Sequence, residues 1–277
     1  MGHPAAVWRC CVTGRQHLLP PSELYSTSYF LSDVCEGLPE YLDGRVSVVK
    51  RRELDRLGLE AKHVFLDLGC GRGEVMAEAI RRGSHAIAID YSWDAVALTA
   101  SLVAGEAPVL QADGTALPFR DASFDRVLLG DVIEHIPWEL ALRALREVDR
   151  VLAPGGNVLV HTSPNTWFIA IVKPPLMLAM RLFRRNEVLH RFAEYDRLRD
   201  AMHPNELNPR SLSRLMKAAG IDARTWVDRD VMRSGASGWT SRLSESRTVR
   251  FMGEVAGMWP LRLILGNDLY ATFRKPR

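Results

Sequence analysis

The stretch Val64-Phe65-Leu66-Asp67-Leu68-Gly69-Cys70-Gly71-Arg72-Gly73-Glu74-Val75 decides the fold. Residues 63–68 (HVFLDL) are an apolar run of strand length. Three alternate glycines then supply a turn, and residues 74–82 place Val75, Met76, Ala79 and Ile80 on one helical face before Gly83 stops the helix. A strand, a glycine turn and a helix in this order open a βαβ crossover. The rhythm continues with 84–90 (SHAIAID) as a second strand and 93–103 as a second helix. Third, fourth and fifth strands are predicted at 108–111, 124–130 (FDRVLLG) and 157–162 (NVLVHT). The last is preceded by a helix that turns Leu145, Val148 and Leu152 inward and ends at Ala153-Pro154-Gly155-Gly156. Five strands with helical crossovers predict an open, doubly wound α/β sheet.

Outward from this core (residues 62–165) the pattern changes. Residues 1–61 carry Tyr25, Tyr29, Phe30 and Tyr41 and read as a helical cap. Residues 166–208 are an insertion rich in Met, aromatics and Arg. Residues 209–277 return to the core: Asn208-Pro209 starts a helix with the stripe Leu212, Leu215, Met216 and Ala219, and Gly220 ends it. Strands at 222–227 and 268–273 can pair as a hairpin around a second insertion, 229–266, that holds Trp239, Phe251, Met252, Met258 and Trp259.

Composition narrows the function. Of 277 residues 47% are apolar and 25% charged, an ordinary globular balance. The net charge is +3, and only five of the 36 basic residues are Lys. The arginines alternate with acids, so no nucleic-acid partner is expected. Cys10, Cys11, Cys35 and Cys70 make neither a disulfide framework nor, with His17, a metal-ligand pattern. No metal site is expected. Trp8 to Cys11 is not followed by an apolar signal core, and the uncharged stretch 151–172 is broken by turn residues. A reduced, cytoplasmic protein is therefore expected.

The turn itself excludes some ligands. A dinucleotide site would need Gly at 74, where Glu74 would repel a pyrophosphate, and no Gly-Lys-Ser/Thr follows for a phosphate loop. Instead, Asp90 ends the second strand, where a carboxylate can accept from two ribose hydroxyls. Asp113-Gly114, after the third strand, can accept from an adenine amino group, and Asp67 from a ligand ammonium. Singly these acids read as helix caps or turn formers. In order at successive strand ends they describe a nucleoside pocket with a cationic amino-acid tail, which fits S-adenosylmethionine.

Residues 62–165 resemble the class I S-adenosylmethionine-dependent methyltransferases, in particular the group with quinone-pathway and natural-product enzymes. The resemblance rests on VFLDLGCGRGEV (64–75), AIAIDYS (86–92), ADGTALPF (112–119), FDRVLLGDVIEHI (124–136) and RVLAPGGNVLV (150–160). It implies a Rossmann-like, seven-stranded sheet of order 3-2-1-4-5-7-6. It also implies Asp67, Gly69, Cys70, Gly71, Asp90, Tyr91, Asp113, Gly114 and Gly130 as cofactor contacts. The expected activity is methyl transfer to a small, mostly apolar acceptor, with oxygen the expected acceptor atom. A carbon or nitrogen acceptor, an RNA or protein acceptor, and a non-catalytic cofactor-binding scaffold stay open.

His135, in Asp131-Val132-Ile133-Glu134-His135, is the candidate general base, against a structural role capping the next helix. His161 and His203 are alternatives. The segment 167–185 (WFIAIVKPPLMLAMRLFRR) predicts two short apolar helices split at Lys173-Pro174-Pro175. It reads either as a lid lining the acceptor pocket or as a peripheral membrane contact with Arg181, Arg184 and Arg185 at the headgroups. Oligomeric state is not legible.

Overall fold

A computed structural model describes residues 7–9, 21–32, 35–184, 186–228, 258 and 260–277. Its strands are β1 (Val7–Arg9), β2 (Val64–Leu68), β3 (His85–Asp90), β4 (Val109–Gln111), β5 (Phe124–Gly130), β6 (Leu152–Thr162), β7 (Arg224–Val227) and β8 (Leu269–Arg274). Its helices are α1 (Thr27–Phe30), α2 (Leu38–Leu42), α3 (Val48–Leu57), α4 (Glu74–Arg81), α5 (Trp93–Val103), α6 (Trp138–Val151), α7 (Lys173–Leu182), α8 (Asn186–Met202), α9 (Pro209–Ala218) and α10 (Arg262–Leu265).

The sheet runs β1-β4-β3-β2-β5-β6-β8-β7. Counted from β2, the seven strands have the order 3-2-1-4-5-7-6. β8 is antiparallel to β6 and β7, and the remaining pairs are parallel. The strand β1, which pairs with β4 along Val7↔Val109 to Arg9↔Gln111, adds an edge within the segment read as a helical cap.

Central strands are buried on both faces, which is why they read as continuous apolar runs rather than alternations. Phe65, Leu66, Val127, Leu128, Leu129, Val158, Leu159 and Val160 are buried, each contributing about 1.5–3 kcal/mol. One face packs α3, α4 and α5 through Leu54, Leu57, Met76, Ala79 and Val96. The other packs α6 and α9 through Leu145, Val148, Leu212, Leu215 and Met216. The helix α9 begins as expected, with the Asn208 side chain accepting from the N–H groups of Arg210 and Ser211.

Crossovers run outward from β2 toward β4 on one side and from β5 toward β6 on the other, so the winding reverses between β2 and β5. Leu68 pairs with Ile89 on one side and Leu129 on the other. The turns after β2, β3 and β5 therefore open at one edge of the sheet. In open α/β sheets that edge, at that reversal, is where ligands bind.

The insertion after β6 starts with a π-helical turn, Phe168–Val172, that runs directly into α7, with Pro174 and Pro175 in its first turn. At its root, the buried Asn165 donates to the Leu263 and Gly266 carbonyls at 2.9 and 2.8 Å, tying the first insertion to the end of the second. No described helix is long and apolar enough to cross a membrane. Cys10, Cys11 and His17, and residues 229–257 and 259 of the second insertion, lie outside the described residues.

Candidate active site

The turn after β2 holds three glycines in the left-handed region: Gly69 at φ +86°, Gly71 at +53° and Gly73 at +87°. At Gly69 space is as restrictive as conformation, because a Cβ there would lie 2.4 Å from the Val132 Cγ2. The N–H groups of Gly69 and Cys70 both donate to the Ile89 carbonyl, at 2.9 and 3.1 Å, which fixes the turn against β3. The Cys70 side chain points into the core, where Thr99 Oγ1 lies 3.3 Å from its sulfur. Its contribution to the site is backbone.

Around this turn stand the strand-end acids. Asp90 accepts from Gly71 N–H at 3.0 Å and Ser92 N–H at 2.8 Å. Burial pushes its carboxyl up to about 6 against the pull of those donors. Asp67 is 3% exposed, and its Oδ2 has no hydrogen-bond partner. Burial, only partly offset by Lys50, raises it to about 7. Asp113 closes a local turn by accepting from Thr115 N–H at 2.8 Å. Gly114 is packed on Leu68, and Gly130 faces Glu53. The Tyr91 carbonyl accepts from Gln111 at 3.1 Å, and its side chain is partly exposed.

Arg72, in the middle of the glycine turn, has a role the local sequence does not reveal. Its guanidinium is buried, pairs with Glu74 at 2.9 Å, and donates to the Phe30 carbonyl at 3.1 Å and to the Glu36 carbonyl. It also lies over the Tyr41 ring, 5.1 Å from the centroid. Lys50 completes the network by pairing with Glu74 at 2.6 Å. Ser92 Oγ donates to the Tyr25 carbonyl at 2.6 Å, and Asp94 accepts from Thr27 N–H at 2.6 Å. The N-terminal segment is thus fastened to the cofactor edge of the sheet at several points.

At the end of β5, His135 closes a 3-10 turn, Ile133–His135. Its Nδ1 lies 3.2 Å from the Met202 carbonyl oxygen and 3.3 Å from the Tyr25 hydroxyl. A carbonyl only accepts, so Nδ1 carries the hydrogen and Nε2 the lone pair. The ring packs edge-on against Tyr25 and His203, with centroids 5.4 and 4.5 Å away. Burial, aided by His203, lowers its pKa to about 4, so the imidazole is neutral at pH 7. The structure thereby brings two of the predicted histidines, His135 and His203, together with Tyr25.

The third, His161, sits in a different cluster. It is buried and stacked on Tyr270 at 4.6 Å. Its Nδ1 lies 3.0 Å from Glu53 and 3.3 Å from Asp131, and its Nε2 lies 3.5 Å from Asp268. Burial opposes its charge, but Asp131, Tyr270 and Glu53 hold the ring protonated well above the usual histidine range. Burial likewise opposes the Asp131 charge, and His161 overrides it, holding that carboxyl well below the usual range. Asp131 is half-exposed and has φ +52°, an uncommon backbone state for a non-glycine residue. Such positions cluster at functional sites. Beside it, burial and the Asp131 charge raise the buried Glu134, which accepts from Thr162 Oγ1 at 2.9 Å. Among the described residues no group of three metal-ligating side chains is arranged to hold a metal ion.

A doubly wound sheet of this order, with a glycine turn and acids at successive strand ends, has the arrangement implied by the resemblance to the class I S-adenosylmethionine-dependent methyltransferases. Residues 66–160 match the family described as "Methyltransferase domain". A demethylmenaquinone methyltransferase of Mycolicibacterium paratuberculosis is 33% identical over 127 residues, covering 45% of this chain and 53% of that protein. The chain thus spans about half the length of the curated relatives it matches. Two solved structures share the fold. One is a Haemonchus contortus phosphoethanolamine N-methyltransferase 2 in complex with phosphomonomethylethanolamine and S-adenosylhomocysteine (TM-score 0.55, 18% identity, 83% of this chain and 52% of that one). The other is the [4+2]-cyclase SpnF (TM-score 0.57, 16% identity, 94% and 97%).

The residues present fit S-adenosylmethionine. Asp67 offers a buried acceptor without a partner, suited to an ammonium. Asp90 retains lone pairs beyond the Gly71 and Ser92 N–H groups that it accepts from.

Proposed function

We propose that this protein transfers a methyl group from S-adenosylmethionine to a small, mostly apolar acceptor bearing an ionisable hydroxyl. The cofactor contacts proposed are Asp67, Asp90, Asp113 and the backbone of Gly69, Cys70 and Gly71, with Tyr91, Gly114 and Gly130 shaping the walls. When bound, S-adenosylmethionine supplies an electrophilic sulfonium methyl group. The observation that carries the reading is His135: an imidazole kept neutral, with its Nδ1 hydrogen committed to Met202 and so its lone pair on Nε2, just past the end of β5. His135 takes the hydroxyl proton as the acceptor becomes a nucleophile. Tyr25, through its contact to the ring, orients it. Asp131, kept ionised by His161, accepts a hydrogen bond from the acceptor.

Removing a hydroxyl proton from a conjugated acceptor leaves an anion whose charge is shared between oxygen and ring carbon. The same base therefore serves O- or C-methylation. Carbon methylation is kept as the second reading, and the curated relatives named as demethylmenaquinone methyltransferases favour a quinone-type acceptor. A nucleic-acid acceptor finds less support, since Arg199 is engaged by Asp196, Asp200 and Glu206 at 3.1, 2.7 and 2.9 Å. The likeness to a cyclase is a reminder that fold alone does not fix the reaction.

The test is turnover of a panel of phenols and hydroxyquinones, with product analysis to locate the methyl group. His135→Gln should lower kcat by about 10²–10⁴ while leaving S-adenosylhomocysteine affinity unchanged. A folded His135→Gln protein within about threefold of the parent rate removes the base assignment.

A further inference from the structure

We propose that the helical hairpin opening the first insertion docks on an anionic lipid surface through α7. Residues 166–186 contain no Asp or Glu, but they include Lys173, Arg181, Arg184 and Arg185. The turn Phe168–Val172 and the whole of α7 are dominated by apolar side chains, yet neither holds a buried residue. An apolar helix in a folded chain normally buries one stripe. Here Ile171, Leu178, Leu182 and Phe183 are 53%, 58%, 73% and 74% exposed. Leu178 and Leu182 are one turn apart on the same face. The patch extends through Met258 and Leu261, also exposed, because α10 packs against the 168–172 turn.

Charge selects the occupant. Lys173 is held by Asp196 of α8 and faces inward. Arg181 and Arg184 are exposed and have no acidic partner among the described residues. Two exposed guanidinium groups without an acidic partner among the described residues, beside four protruding apolar side chains and with no acid in the segment, match the headgroup–acyl boundary of an anionic bilayer. An acidic protein surface would take the arginines but leave the apolar side chains unsatisfied. The patch also adjoins the acceptor side of the site, since α8 runs from α7 to Met202, whose carbonyl holds His135. A membrane-dissolved acceptor would then reach the site from the lipid side.

The inference rests on the geometry of α7 and not on the acceptor atom, so a negative methyl-transfer assay leaves it standing and a negative binding assay leaves the proposed activity standing. The experiment is flotation of the full chain with phosphatidylglycerol vesicles and with phosphatidylcholine vesicles, at low and at high salt. The expected result is binding to phosphatidylglycerol that weakens at high salt, with little binding to phosphatidylcholine. Leu178→Glu/Phe183→Glu should lower the bound fraction at least about tenfold, and Arg181→Glu/Arg184→Glu should abolish the preference for the anionic lipid. Both variants should keep the parent's melting temperature and S-adenosylhomocysteine affinity, because all four side chains are exposed and none is paired among the described residues. No binding to either vesicle overturns the proposal. So does a concentration-dependent dimer that Leu178→Glu/Phe183→Glu dissolves without any vesicle binding, which would assign the face to a second copy.

Discussion

If Asp67 and Asp90 contact the cofactor as proposed, these two acids make its affinity a function of pH, with a sign fixed by their surroundings. Asp67 is raised to about 7 and Asp90 to about 6, both chiefly by burial. An ammonium and ribose hydroxyls require both carboxylates ionised, so affinity should rise with pH through this window. With those two values the doubly ionised fraction increases about 20-fold between pH 6 and pH 8. Asp67→Asn removes the larger part and should leave about a twofold change, from Asp90 alone. Absolute affinity at pH 8 should fall in that variant, because the amide cannot pair with the ammonium as a charge. Titration calorimetry with S-adenosylhomocysteine at pH 6, 7 and 8 reads both proteins, and the ligand's own amine titrates in both, so the comparison isolates Asp67. Stability of the ligand-free protein should move the opposite way. A carboxyl whose folded pKa is raised contributes stability that is fully present below its unfolded value and lost as pH rises through the folded one. Asp67→Asn should therefore melt above the parent at pH 8, with the gap narrowing toward pH 5. A flat affinity profile in the parent, or a steep one that persists in Asp67→Asn, would refute the reasoning.

Four further outcomes follow from the geometry. Asp90→Ala loses the two ribose bonds and should weaken S-adenosylhomocysteine binding by roughly 2–4 kcal/mol, read by the same calorimetry; unchanged affinity removes Asp90 from the contact set. Gly69→Ala places a Cβ 2.4 Å from Val132 at φ +86° and should cost about 2 kcal/mol or more in denaturant melts, with Val132→Ala in the same chain restoring part of the loss. Arg72→Leu leaves Glu74 buried with only Lys50 beside it and should cost about 3–5 kcal/mol, with the N-terminal segment cut first in limited proteolysis. The kcat of the parent at saturating cofactor should stay level as pH falls through 6.5 and decline only near 4, where His135 charges; a limb at 6.5 means another group is the base.

The strand–turn–helix half of the candidate site was legible because it is built from contiguous units. The strand, glycine turn and helix around residues 64–75 carry their own signals: an apolar run, residues free to adopt positive φ, and an amphipathic stripe. Ser92 capping α5, by accepting from Ala95 N–H, and Asn208 capping α9 are local in the same sense. What stayed hidden depends on distant partners. The three-residue strand β1 owes its existence to pairing with β4, a hundred residues on, and an edge so short has no periodicity to read. Arg72 looked like one of many arginines because its carbonyl acceptors, at Phe30 and Glu36, are 42 and 36 residues away. The histidines could be named but not ranked. His135 and His161 both lie near strand ends, yet burial and His203 keep one neutral while Asp131, Tyr270 and Glu53 keep the other charged.

That contrast bears on where acceptor choice resides. The two imidazoles flank the same strand end in opposite charge states, so they do opposite work: the neutral ring can receive a proton, and the charged ring stabilises a neighbouring anion. Exchanging their environments would exchange their roles without altering the cofactor turn. Apart from Asp131, the groups that set those environments come from the N-terminal segment, α3, the end of α8 and the strand β8 with the residue before it, all outside residues 66–160. A chain can therefore keep the cofactor core intact and change its acceptor by altering only the parts wrapped around it. In this chain those parts supply a tyrosine and a histidine beside the core's own Asp131, together with an apolar hairpin. The combination suits an acceptor with a polar reacting end and an apolar body, and it requires no change in the residues that hold the cofactor.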